Sequence, residues 1–360
     1  MPDAPQAHPI HLPELSPADA PFVADPATRN GLFHHPWGVV NDRGPVDIFR
    51  WKVLQRNPFA ADKRDRAPRL PVVREPSAAW RQVDAGARLQ WLGHATFLID
   101  IDGHNVLIDP IFGAAGPGVP RLVRAPRLAD DLPRIDAILL THGHYDHLDR
   151  RSIAAVRKRF PDAIVAAPKG NARSVPGNAA RVVELSWFDT IQIGPLRCTF
   201  TPAQHWHLRR GWDRNRALWG GWMVQGPPST HPTGRRTGVY HSGDTGWFDG
   251  FRVIREVLGA PDVAILPVGA YEPRWFMGVQ HMPPEDSLRA FVDLGARHFV
   301  GMHWGTFDLS DEPVDHGPYT LLPGLVSERG LSADTIHVMS HGGVLGFGRS
   351  VQEVGREGVG

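Results

Sequence analysis

Within His142-Gly143-His144-Tyr145-Asp146-His147, four side chains that can donate an electron pair to a metal ion fall inside six positions. Imidazole nitrogen and carboxylate oxygen suit zinc, and manganese and iron(II) accept similar ligands. The packet ends an apolar run, Ala137-Ile138-Leu139-Leu140, that reads as a buried strand over 135–140. In an extended segment residues two apart share a face, so His142 and His144 can reach one cation. Asp146 and His147 lie just past the strand and can turn toward another, so two ions fit better than one. The competing reading is a solvated loop that happens to be rich in His; four donors directly after a buried strand argue against it.

Two ions that share a water and are each four- or five-coordinate need about seven protein ligands. The central packet supplies four, and the others are expected at further strand ends. His205 follows a strand at 196–201, Asp244 follows one at 238–241, and His303 follows one at 297–302. Taken singly, a His beside Trp is more often packed, and an Asp before Thr-Gly is more often a turn or helix cap. Their joint order, His-x-His-x-Asp-His, then His, Asp and His, favours the metal. Asp109, at a strand end before Pro110, is expected to accept the second ring N–H of a ligand His and so orient it. His94 suits that role and simple packing equally.

The elements that must position these residues follow from pattern. Leu89 to Ile101 reads as one or two strands, Asp102-Gly103-His104-Asn105 as a tight turn, and Val106–Asp109 as the returning strand. Loops rich in Pro and Gly cover 113–133 and 226–237. A helix is expected at 149–160, with strands at 163–167, 181–185, 190–193, 196–201 and 217–225. Strand 238–241, helix 247–258, strand 262–267, helix 284–295, strand 297–302 and strand 335–339 close the domain. This is an α+β pattern, two sheets packed together with helices outside. The expected organisation is an N-terminal extension over 1–85, its first 30 residues a poorly ordered lead-in and the remainder wrapping the core, then a domain over 86–350 and a tail over 351–360.

With 360 residues, 42% of them hydrophobic, the chain can bury a large core without staples. Formal net charge is +1, and no long basic run occurs, which argues against nucleic acid as a partner. The single cysteine, Cys198, excludes intramolecular disulfides and thiolate-rich metal sites. No signal-peptide pattern is read at the N-terminus and no apolar run would span a bilayer, so the expectation is a cytoplasmic protein, at most peripheral to membranes.

Beyond the histidines, Trp91-Leu92-Gly93-His94-Ala95-Thr96, Leu107-Ile108-Asp109-Pro110, Pro202-Ala203-Gln204-His205-Trp206, Asp213 to Trp222, Gly243-Asp244-Thr245-Gly246, Gly269 to Met277 and His303-Trp304-Gly305-Thr306-Phe307 carry a likeness. Together with Thr-His-Gly-His-Tyr-Asp-His they resemble the metallo-β-lactamase superfamily, and within it the N-acylphosphatidylethanolamine-hydrolysing phospholipase D branch. The likeness runs from about Trp91 to about Pro313; the first 85 residues match only loosely.

That resemblance implies an αβ/βα sandwich with two zinc ions at one edge of the sheets. It places one ion on His142, His144 and His205 and the other on Asp146, His147 and His303, with Asp244 bridging. A metal-bridging hydroxide would attack phosphorus, with no protein nucleophile. Tyr145 and His281 stand at positions linked to the substrate phosphate, where each could donate a hydrogen bond. Arg209, Arg210, Arg214 and Arg216 lie in the Trp206–Trp222 run, and Arg214 and Arg216 are candidate phosphate contacts. The expected substrate is a phospholipid or other phosphodiester. A homodimer and a peripheral membrane contact are admitted, though no amphipathic helix stands out. The alternative is a sugar-phosphate lactonase or another hydrolase of small phosphorylated metabolites on the same fold.

Overall fold

The computed structural model describes residues 6–13, 15–39, 43–116, 118–228, 235–348 and 351–357. Its strands, in chain order, are β1 (His8–Pro9), β2 (Ala27–Arg29), β3 (Leu32–His34), β4 (Gly86–Gly93), β5 (Thr96–Ile101), β6 (His104–Ile108), β7 (Ala137–Leu139), β8 (Ile164–Pro168), β9 (Val182–Leu185), β10 (Asp189–Ile193), β11 (Leu196–Thr201), β12 (Gly221–Gln225), β13 (Gly238–His241), β14 (Val263–Pro267), β15 (His298–Met302), β16 (Ile336–Gly348) and β17 (Gln352–Glu357). The α-helices are α1 (Ala20–Val23), α2 (Pro45–Phe49), α3 (Ala60–Asp65), α4 (Pro76–Gln82), α5 (Arg150–Arg159), α6 (Gly250–Leu258), α7 (Arg274–Met277), α8 (Pro284–Leu294) and α9 (Leu322–Glu328).

All strands but β2 and β3 belong to one hydrogen-bonded series, β1-β10-β11-β12-β13-β14-β15-β16-β4-β5-β6-β7-β8-β9, with β17 on β16. The series divides at β16. Its first residues pair in parallel with β15, Ile336 opposite Phe299, and its last pair antiparallel with β4, from Val344 opposite Gln90 to Gly348 opposite Gly86. Between them, the ladder to β17 shifts register from Met339 to Val344. A strand irregular at that point can serve two sheets, and the two halves pack face to face.

Period-two alternation explains the layers. Leu89, Trp91, Phe97, Ile99, Val106 and Ile108 enter the core shared with Phe200, Trp222, Met223, Ile265 and Val300 of the other half. Their strand neighbours Leu92, Leu98, Leu107 and Ile138 face the other way, against Trp80 of α4 and Ile153 and Val156 of α5. Each such fully buried side chain contributes about 1.5–3 kcal/mol from area removed from water. Helices α6 and α8 cover the second half through Phe251, Ile254, Leu288 and Phe291. The α+β sandwich expected from the pattern is the architecture observed.

Several boundaries move for local reasons. The turn after β5 is only Asp102-Gly103, both with positive φ (52° and 80°), so His104 already pairs with Ile101 and β6 starts there. The strand expected at 217–225 begins at Gly221, because Gly220 N–H donates to the Thr141 carbonyl and the chain is not yet in the ladder. The strand expected at 335–339 runs on to Gly348, burying Val344, Leu345 and Phe347. The tail read at 351–360 contains β17, whose partner is β16; residues 358–360 lie outside the described residues. Part of the loop read at 226–237, residues 229–234, also lies outside them.

The N-terminal lead-in is docked where it is described. β1 adds to the sheet edge on β10, and Phe22 is buried beside Trp37 and Phe248. Trp37 stacks on Trp187 and Phe248 at 5.4 and 5.1 Å, so an extension weak in periodicity is held by aromatic packing. No helix among the described residues is long and apolar enough to cross a membrane.

Candidate metal centre

The centre lies where β6, β7, β11, β13 and β15 end. Asp109 follows β6, Thr141 to His147 follow β7, His205 follows β11, Asp244 follows β13 and His303 follows β15. Three residues here, His94, Asp109 and His303, hold left-handed backbone conformations (φ 55°, 42° and 63°) that side-chain-bearing residues seldom adopt. Strand β7 stops at Leu139, so His142 and His144 sit in a bent loop and not in an extended segment. They converge all the same, His142 Nε2 lying 2.9 Å from His144 Nδ1, because Asp109 ties the loop: its carboxylate accepts from Thr141 N–H at 2.8 Å and the Thr141 hydroxyl at 2.5 Å.

His142, His144 and His205 form one group; His94, Asp146, His147 and His303 form a second. Asp244 Oδ2 stands between them, 3.2 Å from Nε2 of both His147 and His303, and 3.9 Å from Nε2 of His142 and His205. The supports differ. His205 Nδ1–H donates to the Gln280 carbonyl at 3.1 Å, whereas His147 Nδ1–H donates to Asp109 Oδ2 at 2.7 Å. His94 Nε2 lies 2.9 Å from Asp146 Oδ2, so the structure brings His94 into contact with a candidate ligand. Asp149, two residues past the packet, caps α5, accepting from Arg151 N–H and Ser152 N–H.

Charge follows the same division. Burial, reinforced by neighbouring imidazoles, holds His142 and His205 well below the usual histidine range, and burial takes His144 to about 3. Burial also works against charge on His147 and His303, but the carboxylates win: Asp244, Asp146 and Asp109 lift His147 well above its usual value, and Asp244 with Asp146 lifts His303 to about 9. Asp146 and Asp244 are held well below the carboxylate range, burial opposing and His147 the largest of the charges that lower them.

The residues fit divalent metal. His147 Nε2, both ring nitrogens of His303, Asp244 Oδ1 and His281 Nδ1 are buried with no hydrogen-bond partner, a concentration of unpaired donors and acceptors that a metal ion resolves. The donors are imidazole and carboxylate; Cys198 is buried in the apolar core. That set suits zinc, manganese or iron(II).

Around the ligands, the other expected residues divide. His281 Nδ1 lies 3.9 Å from Asp244 Oδ2, its ring beside His205 and His303, and burial lowers it to about 4. Tyr145 is half exposed, and its hydroxyl donates to the Arg209 carbonyl at 2.9 Å while the Arg209 guanidinium covers its ring. Arg214 lies over Trp206, whose ring meets the edge of His144, and donates to the Arg43 carbonyl. Arg216 is exposed on a turn closed by its own N–H to Asp213. Sequence reasoning passed over His207 and Asn171, which pack against Gly143 so closely that a Cβ there would lie 2.6 Å from Asn171 Oδ1 and His207 Nδ1. The signal was the glycine itself, fixed between two histidines.

A sequence family described as the beta-lactamase superfamily domain matches residues 104–304, more than half of the chain. The chain belongs to the metallo-β-lactamase superfamily. It is 30% identical to the N-acyl-phosphatidylethanolamine-hydrolyzing phospholipase D 1 of Caenorhabditis elegans, over 88% of this chain and 92% of that protein. It is 32% identical to a UPF0173 metal-dependent hydrolase of Methanopyrus kandleri, over 64% of this chain and 88% of that one. Among solved structures, a metallo hydrolase from Ignicoccus hospitalis superposes with a TM-score of 0.54 at 23% identity, covering 74% of this chain and 97% of that one. This superfamily member is a metal-dependent hydrolase.

Proposed function

We propose that the chain hydrolyses phosphodiesters with two zinc ions at this centre, and that its substrates are phospholipids of the N-acylphosphatidylethanolamine type, cleaved to phosphatidic acid and N-acylethanolamine. The observation that carries the reading is Asp244, whose Oδ2 lies within 3.9 Å of ring nitrogens from both histidine groups, where one carboxylate can serve two cations. The worm relative named for this activity supports the substrate class. Two divalent ions so held supply a strong nucleophile from water near neutral pH and neutralise charge on the phosphoryl oxygens.

The chain's own residues do the rest. The bond broken joins phosphorus to the ethanolamine oxygen; oxygen from water ends on phosphorus, and a proton goes to the departing alcohol. His281, neutral because burial holds it to about 4, offers a ring N–H to a phosphoryl oxygen beside Asp244. Tyr145 does the same by exchanging the Arg209 carbonyl for a phosphoryl oxygen. Arg214, over Trp206, supplies a cation at the same rim.

The test is to incubate the zinc-loaded chain with N-acylphosphatidylethanolamine and, separately, with the soluble diester bis(p-nitrophenyl) phosphate, and to weigh the products. Phosphatidic acid and N-acylethanolamine are expected; cleavage of neither compound would sink the reading. A second reading is hydrolysis of a small phosphorylated metabolite such as a sugar-phosphate lactone; the relatives of Methanopyrus kandleri and Rubrobacter xylanophilus, matched over 88% and 97% of their own lengths, are named only as metal-dependent hydrolases and fit either substrate. Lactones assayed in parallel separate the two.

A further inference from the structure

Of the twelve large hydrophobic side chains exposed among the described residues, five fall between positions 46 and 54: Val46 (80% exposed), Ile48 (49%), Phe49 (54%), Val53 (63%) and Leu54 (69%). Apolar residues scattered singly need no explanation, but this many on one short segment mark an interaction surface. The segment is α2 continued by a wider helical turn over Arg50–Leu54. It is fastened from beneath. Trp51 is buried, packs on Phe276 at 4.9 Å and donates to Asp311, while Trp275 donates to Gln55 and lies under the Arg50 guanidinium. The apolar face is therefore held outward by a rigid inner anchor.

Its place matters. Phe276 and Met277 share a small core with Trp51, and the Met277 carbonyl accepts the N–H of His281, which stands beside Asp244. On the other side Arg214 joins the Arg43 carbonyl to Trp206 and hence to His144. The same loop carries Trp212, 76% exposed. The apolar face and this indole flank the rim of the metal centre.

We infer that this segment is a docking surface for an anionic lipid bilayer, with Val46, Phe49, Val53 and Leu54 entering the interface and Trp212 as a second contact. Charge selects this occupant. Over residues 42–56, Arg43, Arg50, Lys52 and Arg56 outnumber Asp42 and Asp47, a positive excess that matches phosphate headgroups above an acyl layer, while Lys52 also faces Asp311, Asp308 and Glu312 behind it. The inference deepens the phospholipid reading and rests on it for its purpose, but the docking is measurable without catalysis.

The experiment sediments the full chain with vesicles of phosphatidylcholine alone and of phosphatidylcholine with phosphatidylglycerol. The parent is expected to bind the anionic vesicles, with F49S/V53S/L54S and R50E/K52E each weakening binding roughly tenfold or more. Both variants are expected to keep the parent's rate on bis(p-nitrophenyl) phosphate; F49S/V53S/L54S should keep its unfolding midpoint, and R50E/K52E, which loses Arg50 over Trp275 and Lys52 over Trp51, should unfold only a few degrees lower. A parent that ignores anionic vesicles, or variants that bind as the parent does, would overturn the docking. So would a parent dimer that the apolar variant dissolves while vesicle binding persists, since the face would then belong to a second copy. Vesicle binding lost in the variants with no diester cleaved by the parent would sink the substrate reading and leave the docking standing; the reverse result would do the opposite.

Discussion

The two halves of the metal centre are built from the same residue types and behave differently. His142, His144 and His205 are three imidazoles kept neutral by burial and by one another, with a backbone carbonyl behind His205. Asp146, His147 and His303 are a charged set in which carboxylates hold protons on imidazoles despite burial, with Asp109 behind His147. Ligands must be deprotonated to bind. The first half is ready for a cation as it stands, and the second must release protons to accept one. Asp244 belongs to both.

That contrast is most severely tested at Asp244. Asp244→Asn keeps the shape and removes the shared charge; hydrolysis should fall by roughly a thousandfold, the several kcal/mol that metal charge stabilisation supplies, and bound metal should drop in elemental analysis. An active variant with full metal content would break the picture of a shared carboxylate. Asp109→Asn weakens the acceptor behind His147 and loosens the grip on Thr141 that brings His142 and His144 together. Orienting partners of this kind are worth about 10–100-fold in metal affinity, so a chelator titration should show the second half weakened most and the first half, which keeps His205 on the Gln280 carbonyl, weakened less.

The pH dependence sharpens the same comparison. A proton on His303, raised to about 9, competes with metal, as does one on His147, raised well above its usual value, so affinity in the second half should rise with pH by up to about tenfold per unit for each proton released until both rings are neutral. The first half, with His144 at about 3, should show no such rise above neutrality. In the metal-free protein the sign reverses: the raised His303 stabilises the fold fully below its ordinary value of 6.5, and that contribution is lost as pH climbs through 9. Urea unfolding of the chelated protein across this range reads it directly. The smallest effect concerns the outer cations. Arg214→Ala should slow phosphodiester cleavage more than Arg216→Ala, which lies on an exposed turn and should change the rate less than about threefold.

The chain alone determined a good deal. Alternating apolar runs specify the two sheets and their buried faces, because side-chain direction in a strand has a period of two. The seven candidate ligands were legible because imidazole and carboxylate at successive strand ends have few other uses. Asp109 was legible for the same reason, as an acceptor at a strand end.

Tertiary structure decided the rest. That His142 and His144 meet across a bent loop depends on Asp109 gripping Thr141 from another strand, a contact 32 positions away in sequence that no local period encodes. The proton-holding character of His147 and His303 depends on how many carboxylates burial brings to each ring. That Arg214 lies over Trp206, beside His144, while Arg216 is exposed is decided by the fold of the loop and not by residue type. The exposed face at 46–54 appears only once Trp51 is seen to point inward, because a segment this short has too few turns to display its amphipathicity as a pattern. The His-rich packet names the chemistry; packing assigns its two halves their different charges.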